Sequence, residues 1–458
     1  MKKTWILVLL SLAFYPVFGQ SGYDITVHLQ HIRQGTLYLG NYYGKNTFIV
    51  DSTVISDQGT ARFQGEAALP GGIYFILLPG KQKYFECLID EQQHFEITAD
   101  SSKNFANLAF KGSSGNMLFL AYNRFLAAQQ TKIDSAKPGA KDSIAIANLE
   151  HKRVKAIDRY RQDIIDAHPK SLLALLFRAM KDPVVPKKPA NNSDSAFAYH
   201  YFRSHYWDHI DFSDNRIVRS PILEIRLQRY FTQLVPQVPD SINQAADALL
   251  TKVDDKEVFK YMLWWLTSTY ERSPYMGMDA VFVHLVEKYY VSGKAYWVQS
   301  DQLQKIVDKA AKIAPNLIGN IAPPLTFVTT AGQTRQIADI NAKYTVLVFW
   351  DPTCGHCQTV VPRLDSAYES SWKKEGVKIV GLLAGGTKTQ WLDFIKEHQL
   401  DDWINAQVGG DNSYRRLYDV YMTPVIYLLD AQKKIRAKQL TVDQLDSFIR
   451  NDSINVHP

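Results

Sequence analysis

Between about Tyr23 and Gly112, apolar and polar residues alternate in short runs broken by glycine. Ile25-Thr26-Val27-His28-Leu29, Ala61-Arg62-Phe63 and Phe95-Glu96-Ile97-Thr98-Ala99 each put every second side chain on one face, the period of a half-buried strand. Turn residues separate the runs at Gly35, Asp57-Gln58-Gly59, Pro70-Gly71-Gly72 and Pro79-Gly80. Short strands so spaced predict a small antiparallel sandwich or barrel over residues 20–113. Cys87 shares its strand face with Phe85 and Ile89, so it reads as a buried small apolar residue, not a reactive thiol.

Over residues 114–315 the period changes to that of helices. Leu303, Ile306, Val307, Ala310 and Ile313 trace one helical stripe. Ser171 to Lys181 reads as a helix ended by the proline-rich stretch from Asp182-Pro183 to Pro189. The aromatic run Tyr261–Tyr270, with Trp264 and Trp265, reads as core. His200, His205 and His209 invite a metal reading. On a helix, however, only His205 and His209 share a face, and no glutamate lies between them. Zinc normally needs three or four converging ligands, so helix-surface histidines and no metal site are expected.

From Asn316 to the end, strands and helices alternate. Leu325–Thr329 and Thr334–Ile337 form a hairpin about Ala331-Gly332, and Thr345–Trp350 is an apolar run of central-strand type. A helix follows Cys354, then a strand at Val377–Leu383, a helix at Thr389–His398 and a short segment near Trp403. A helix at Ser413–Tyr421, a strand at Val425–Leu429 and a helix at Val442–Arg450 complete the order. This order predicts a central sheet with helices on both faces over residues 316–458. The whole is a multidomain α+β chain: an antiparallel β domain, an all-α domain and a carboxy-terminal α/β domain.

Length and charge add limits. A chain of 458 residues suits about three domains. With 46% hydrophobic and 21% charged residues it has material for real cores. A net charge of +6 without a long basic run gives no footprint for nucleic acid. Three cysteines exclude a disulfide-dense scaffold. Residues 1–19 read as a secretory signal peptide: Lys2-Lys3, then an apolar stretch from Trp5 to Tyr15, with Val17 and Gly19 at the small-residue cleavage positions. That stretch falls short of the ~20 residues needed to span a bilayer. No later segment is long enough, so a mature chain without a transmembrane span, in an oxidising periplasm or cell envelope, is expected.

The chemistry is concentrated in Cys354-Gly355-His356-Cys357. A strand ending at Trp350 and a short loop put the first cysteine at a helix start, where unpaired N–H groups and the helix dipole favour a thiolate. Two intervening residues bring Cys357 within bonding distance of Cys354. The outer sulfur then attacks a substrate disulfide and the inner one resolves the mixed disulfide. Gly355-His356 sets the potential, with His356 a polar, chargeable neighbour of the thiolate. No second ligand pair of the kind a zinc site wants is visible downstream. Thr423-Pro424 just before an apolar strand suggests a cis bond, in a loop that faces the disulfide and pairs with an extended substrate. Pro362 is expected to kink the active-site helix.

Val348-Phe349-Trp350, the Cys354–Cys357 motif, Pro362 and Thr423-Pro424 together resemble a thioredoxin fold. The Ala322-Pro323 lead-in, the hairpin and the extra β-α insertion before Pro424 resemble the TlpA/ResA class of envelope thiol–disulfide oxidoreductases. The two upstream stretches resemble uncharacterised β-rich and helical envelope modules. Thioredoxin keeps a buried aspartate where Val348 stands, and the ResA type a glutamate where Val360 stands. Asp351 is the nearest acid left for proton relay. Gly-His between the cysteines resembles protein disulfide isomerase.

The resemblance implies an exported thiol–disulfide oxidoreductase, in the reductase direction. Cys354 and Cys357 would be catalytic, with Thr423, Pro424 and Trp350 at the substrate. No cofactor is expected beyond the Cys354–Cys357 disulfide. Its partners would be exported protein thiols and a membrane thiol electron donor. The alternatives are a disulfide isomerase or oxidase, a thiol peroxidase, and a binding protein with an accessory redox domain. Peroxiredoxins need a threonine where Asp351 stands and a proline where Leu347 stands.

Overall fold

The structure, a computed structural model, describes residues 22–81, 84–100, 102, 107–136, 143–409 and 412–454. The signal-peptide reading lies outside the described residues. The chain divides into two compact units, Met1–Tyr230 and Phe231–Pro458, so the helical stretch is shared between them.

In the first unit the alternating runs become β1 (Tyr23–Gln30), β2 (Thr36–Tyr43), β3 (Asn46–Val54), β4 (Thr60–Gly65), β5 (Gly72–Leu77), β6 (Tyr84–Ile89), β7 (His94–Asp100) and β8 (Ala109–Lys111). They form two four-stranded sheets, ordered β4-β1-β7-β8 and β3-β2-β5-β6. Ile25, Leu39, Ile76, Cys87 and Ile97 share one core, so the inner faces meet as a sandwich. One pairing departs from the antiparallel expectation: β1 and β7 run parallel, from Asp24↔His94 to Gln30↔Asp100. The chain passes through the second sheet between them, and such a crossover lets a strand return in the same direction. Cys87 is wholly buried, and burial pushes its thiol up to about 12.

Helices α1 (Ser114–Ala136), α2 (Ser143–Ala167), α3 (Leu172–Ala179), α4 (Phe197–Ser204) and α5 (Ile222–Arg229) complete this unit. The buried Asn116 amide both accepts from the Leu88 N–H (2.7 Å) and donates to the Leu88 carbonyl (2.8 Å), joining α1 to β6. Ser171 caps α3, accepting from the Ala174 N–H at 3.2 Å.

The second unit opens with α6 (Pro239–Leu250), α7 (Lys256–Glu271), α8 (Asp279–Leu285) and α9 (Ser300–Ile313). On α7 Trp265 is buried, but Trp264, one residue round the helix, is partly exposed. A seven-stranded sheet follows, built from β9 (Thr326–Thr329), β10 (Thr334–Gln336), β11 (Tyr344–Trp350), β12 (Val377–Leu383), β13 (Ile404–Val408), β14 (Val425–Asp430) and β15 (Ile435–Lys438). Its order is β10-β9-β13-β12-β11-β14-β15. It carries α10 (Gly355–Ala367), α11 (Lys388–Glu397), α12 (Ser413–Leu417) and α13 (Val442–Ile454).

Every residue of β11 is buried. Val346, Val348 and Trp350 face a core shared with α10, α11 and α13, whereas Leu347 and Phe349 face one shared with Tyr414 and Tyr418. This two-sided burial explains the unbroken apolar run. Gly381 on β12 leaves room for tryptophans: a Cβ there would lie 3.0 Å from Trp403 and 3.2 Å from Trp350 Nε1.

Candidate active site

β11 delivers the chain to a short loop, and Cys354 is the N-cap of α10. The loop is fixed by its own polar groups. The Asp351 carboxylate accepts from the Thr353 N–H and hydroxyl, both at 2.7 Å, and Gln358 Nε2 donates to the Pro352 carbonyl at 3.0 Å. Pro362 lies inside α10, which runs on through it to Ala367.

The two thiols differ sharply in environment. Cys354 is half-buried and Cys357 fully buried, and both are free. The Cys354 thiol is held below the ordinary thiol range, chiefly by the Cys357 backbone N–H and then by Thr423. The Cys357 thiol and the His356 backbone N–H act in the same direction. These are the donors that a helix N-terminus leaves unpaired. Burial pushes the Cys357 thiol up to about 11.

The Thr423–Pro424 bond is cis, and Cys354 Sγ donates to the Thr423 carbonyl at 3.4 Å. The sequence-predicted residues Cys354, Cys357, Thr423 and Pro424 therefore converge. Gly355 and His356 are exposed at the start of the helix. His356 and Pro424 line a groove of about 330 Å³ with Val360, Arg363 and Ile426, walled by Gln439–Val442. Beside it Tyr421 and Met422 are exposed, at 56% and 83%.

One assignment is corrected. Trp350 is fully buried against Phe394, with ring centroids 5.1 Å apart, so it supports the site from within the core and cannot touch substrate. Asp351 reaches Cys357 through its backbone N–H. Its carboxylate serves Thr353 and faces Gly385, where a Cβ would lie 2.2 Å from Oδ2. These contacts make it a shaper of the loop. Val348 is sealed in the core and Val360 faces the groove, so neither position offers a carboxylate.

Sequence reasoning missed the groove wall. Arg363 and Gln439–Val442 belong to no motif; Arg363 reaches the groove from α10, and Gln439–Val442 approach it only because β15 returns the chain beside β14. No cluster of ligands suited to a metal exists among the described residues. His200 instead pairs with Asp194 at 2.7 Å and His205 with Asp208 at 2.6 Å.

A half-buried cysteine capping a helix, a buried partner one turn on and a facing cis-proline loop have the geometry of a thioredoxin-like redox site. Residues 318–438 match the AhpC/TSA family, and this carboxy-terminal region is homologous to thiol–disulfide oxidoreductases of the ResA type. The thiol–disulfide oxidoreductase ResA of Bacillus thuringiensis is 26% identical over 136 residues, 29% of this chain and 77% of that protein. Among solved structures, a thioredoxin-like protein from Bacteroides caccae is 20% identical, covering 59% of this chain and 99% of that one (TM-score 0.45). The thioredoxin domain of a thiol–disulfide oxidoreductase from Bacteroides vulgatus is 26% identical, covering 30% of this chain and 96% of that one (TM-score 0.28). Upstream, residues 23–119 and 154–316 match two domains of unknown function, DUF4369 and DUF5106.

Proposed function

We propose that this chain is an exported thiol–disulfide reductase that acts on protein disulfides of the cell envelope through Cys354-Gly355-His356-Cys357. The observation that carries the reading is the asymmetry of the pair: a half-exposed Cys354 favoured as thiolate above a buried Cys357 held as thiol. Cys354 Sγ attacks one sulfur of a substrate disulfide. That S–S bond breaks, the leaving thiolate takes a proton, and a mixed disulfide forms. Cys357, on losing its proton, attacks Cys354 Sγ. The Cys354–Cys357 disulfide closes and the second substrate thiol leaves. Two electrons have passed to the substrate, and a membrane thiol donor returns them with two protons. Thr423 and Pro424 present backbone and ring to the substrate, while His356 tunes the potential from its exposed position.

Insulin reduction by the full chain, with dithiothreitol as electron source, tests this. Wild type should catalyse it, Cys354→Ser should abolish it, and Cys357→Ser should accumulate a mixed disulfide visible by mass. Equal rates for all three contradict the reading. Export predicts that the purified envelope form begins at Gln20. Gly355-His356 also suits an isomerase, a reading that restored activity of scrambled ribonuclease, without net reduction, would favour.

No described helix is long and apolar enough to cross a membrane.

A further inference from the structure

Two chain segments flank the redox groove: Tyr421–Pro424, which faces Cys354, and Gln439–Val442, which forms the wall. Both are held at their roots by residues of the preceding helical segment, within the same compact unit. Lys438 ends β15 with its ammonium buried, 2.5 Å from Asp279 Oδ2 at the start of α8. The same ammonium donates to Asn316 Oδ1 at 2.8 Å. Asn316, also buried, donates from Nδ2 to the Leu417 carbonyl at 3.2 Å, where α12 ends. There the chain turns through Asp419, in the left-handed region at φ 51°, into Tyr421. Lys312 of α9 lies 5.0 Å from the centre of the Tyr421 ring.

The anchors fall at the residues that begin each wall. Gln439 follows Lys438 directly, is left-handed at φ 57°, and donates its N–H to Ile426 at 3.2 Å. A shift of Lys438 therefore moves the groove wall. A buried ammonium holds its place only while its carboxylate and hydrogen-bond partners do. Substrate positioning is sensitive to displacements of about 1 Å.

We propose that Asp279 is a positioning residue of the redox site: through Lys438 it fixes the groove wall that docks a protein disulfide, with Asn316 and Lys312 holding the opposite loop. The helical segment then serves substrate binding and not only the fold. This rests on the oxidoreductase reading above.

The test is steady-state insulin reduction by the full chain as wild type, Asp279→Ala, Asp279→Asn and Lys312→Ala, beside iodoacetamide alkylation of Cys354. For Asp279→Ala we expect KM for insulin to rise about tenfold, with kcat and alkylation rate within about twofold of wild type. Asp279→Asn, which keeps an oxygen for Lys438, should recover most of the loss. If Asp279→Ala fails to fold, Lys312→Ala decides, since its side chain is only partly buried. A raised KM there supports the proposal and an unchanged KM overturns it. Unchanged KM in folded Asp279→Ala also overturns it, as does a parallel loss of Cys354 alkylation. Failure of wild type to reduce insulin would instead sink the oxidoreductase reading itself.

Discussion

Cys354 Sγ donates a hydrogen bond to the carbonyl oxygen of Thr423 at 3.4 Å, joining the start of α10 to the loop before β14. As a thiol, Cys354 occupies that carbonyl. As a thiolate it has no proton to donate, and the carbonyl becomes available to an incoming backbone N–H. Under the proposed function, ionising Cys354 and freeing the Thr423 carbonyl for a substrate would thus be one event.

The pH dependence of alkylation follows from the two thiol environments. Iodoacetamide should label Cys354 with an inflection below the ordinary thiol range, because the thiolate is favoured there. Cys357 should stay unlabelled until the pH nears 11, and Cys87 until the protein unfolds. Mapping labelled peptides by mass against pH checks all three. The same sign governs stability. A depressed Cys354 pKa makes the reduced protein gain stability, relative to Cys354→Ser, as pH rises toward the ordinary thiol range, and lose that gain as pH falls.

Thr423 contributes to that thiolate directly. Thr423→Val removes its hydroxyl while keeping the carbonyl. The expected result is slower Cys354 alkylation at neutral pH, by roughly threefold, with an unchanged plateau at high pH. A lower plateau would mean that the substitution had disturbed access instead.

Gly381 is required by the tryptophans beside it. Gly381→Ala puts a methyl 3.0 Å from Trp403 and 3.2 Å from Trp350, so the rings must shift at a cost of about 1–3 kcal/mol. Urea denaturation should show the loss, and the environment of Trp350 should change in fluorescence.

Asp446 satisfies a buried donor. The Nε1–H of Trp372, a fully buried ring, donates to Asp446 Oδ1 at 2.8 Å and ties α13 to the core. Asp446→Ala leaves that N–H unpaired, and the expected destabilisation is about 1–3 kcal/mol by chemical denaturation. Insulin reduction measured on the folded protein should be unaffected, because this contact is not part of the groove.

The legible parts of the sequence were those in which one local rule acted alone. The unbroken apolar run of β11 announced a strand buried on both faces, and Cys354 at its exit announced the chemistry. β13 was read only as a short segment near Trp403 and β15 was missed, because tertiary contacts override their local pattern. Asn405 interrupts β13, yet its amide is buried and donates to the Leu400 carbonyl at 2.6 Å. Lys438 makes β15 look like surface, yet its ammonium is buried on Asp279 and Asn316. The helix read to Tyr421 stops at Leu417, and the left-handed Asp419 then redirects the chain. Trp350 was misjudged because its place next to the motif in sequence says nothing about the direction of its ring. The groove wall depends on β15 and was invisible for the same reason.

The central claim is that Cys354 and Cys357 form a reversible two-electron couple poised for reduction of substrates. The most direct measurement is equilibration of the full chain with dithiothreitol or glutathione buffers, with the intramolecular disulfide quantified by acid quenching and mass. The account predicts a reversible loss of both thiols at a potential near thioredoxin's, about −270 mV. A reversible disulfide near −180 to −120 mV would contradict the reductase direction, and the absence of any reversible Cys354–Cys357 disulfide would contradict the redox function altogether.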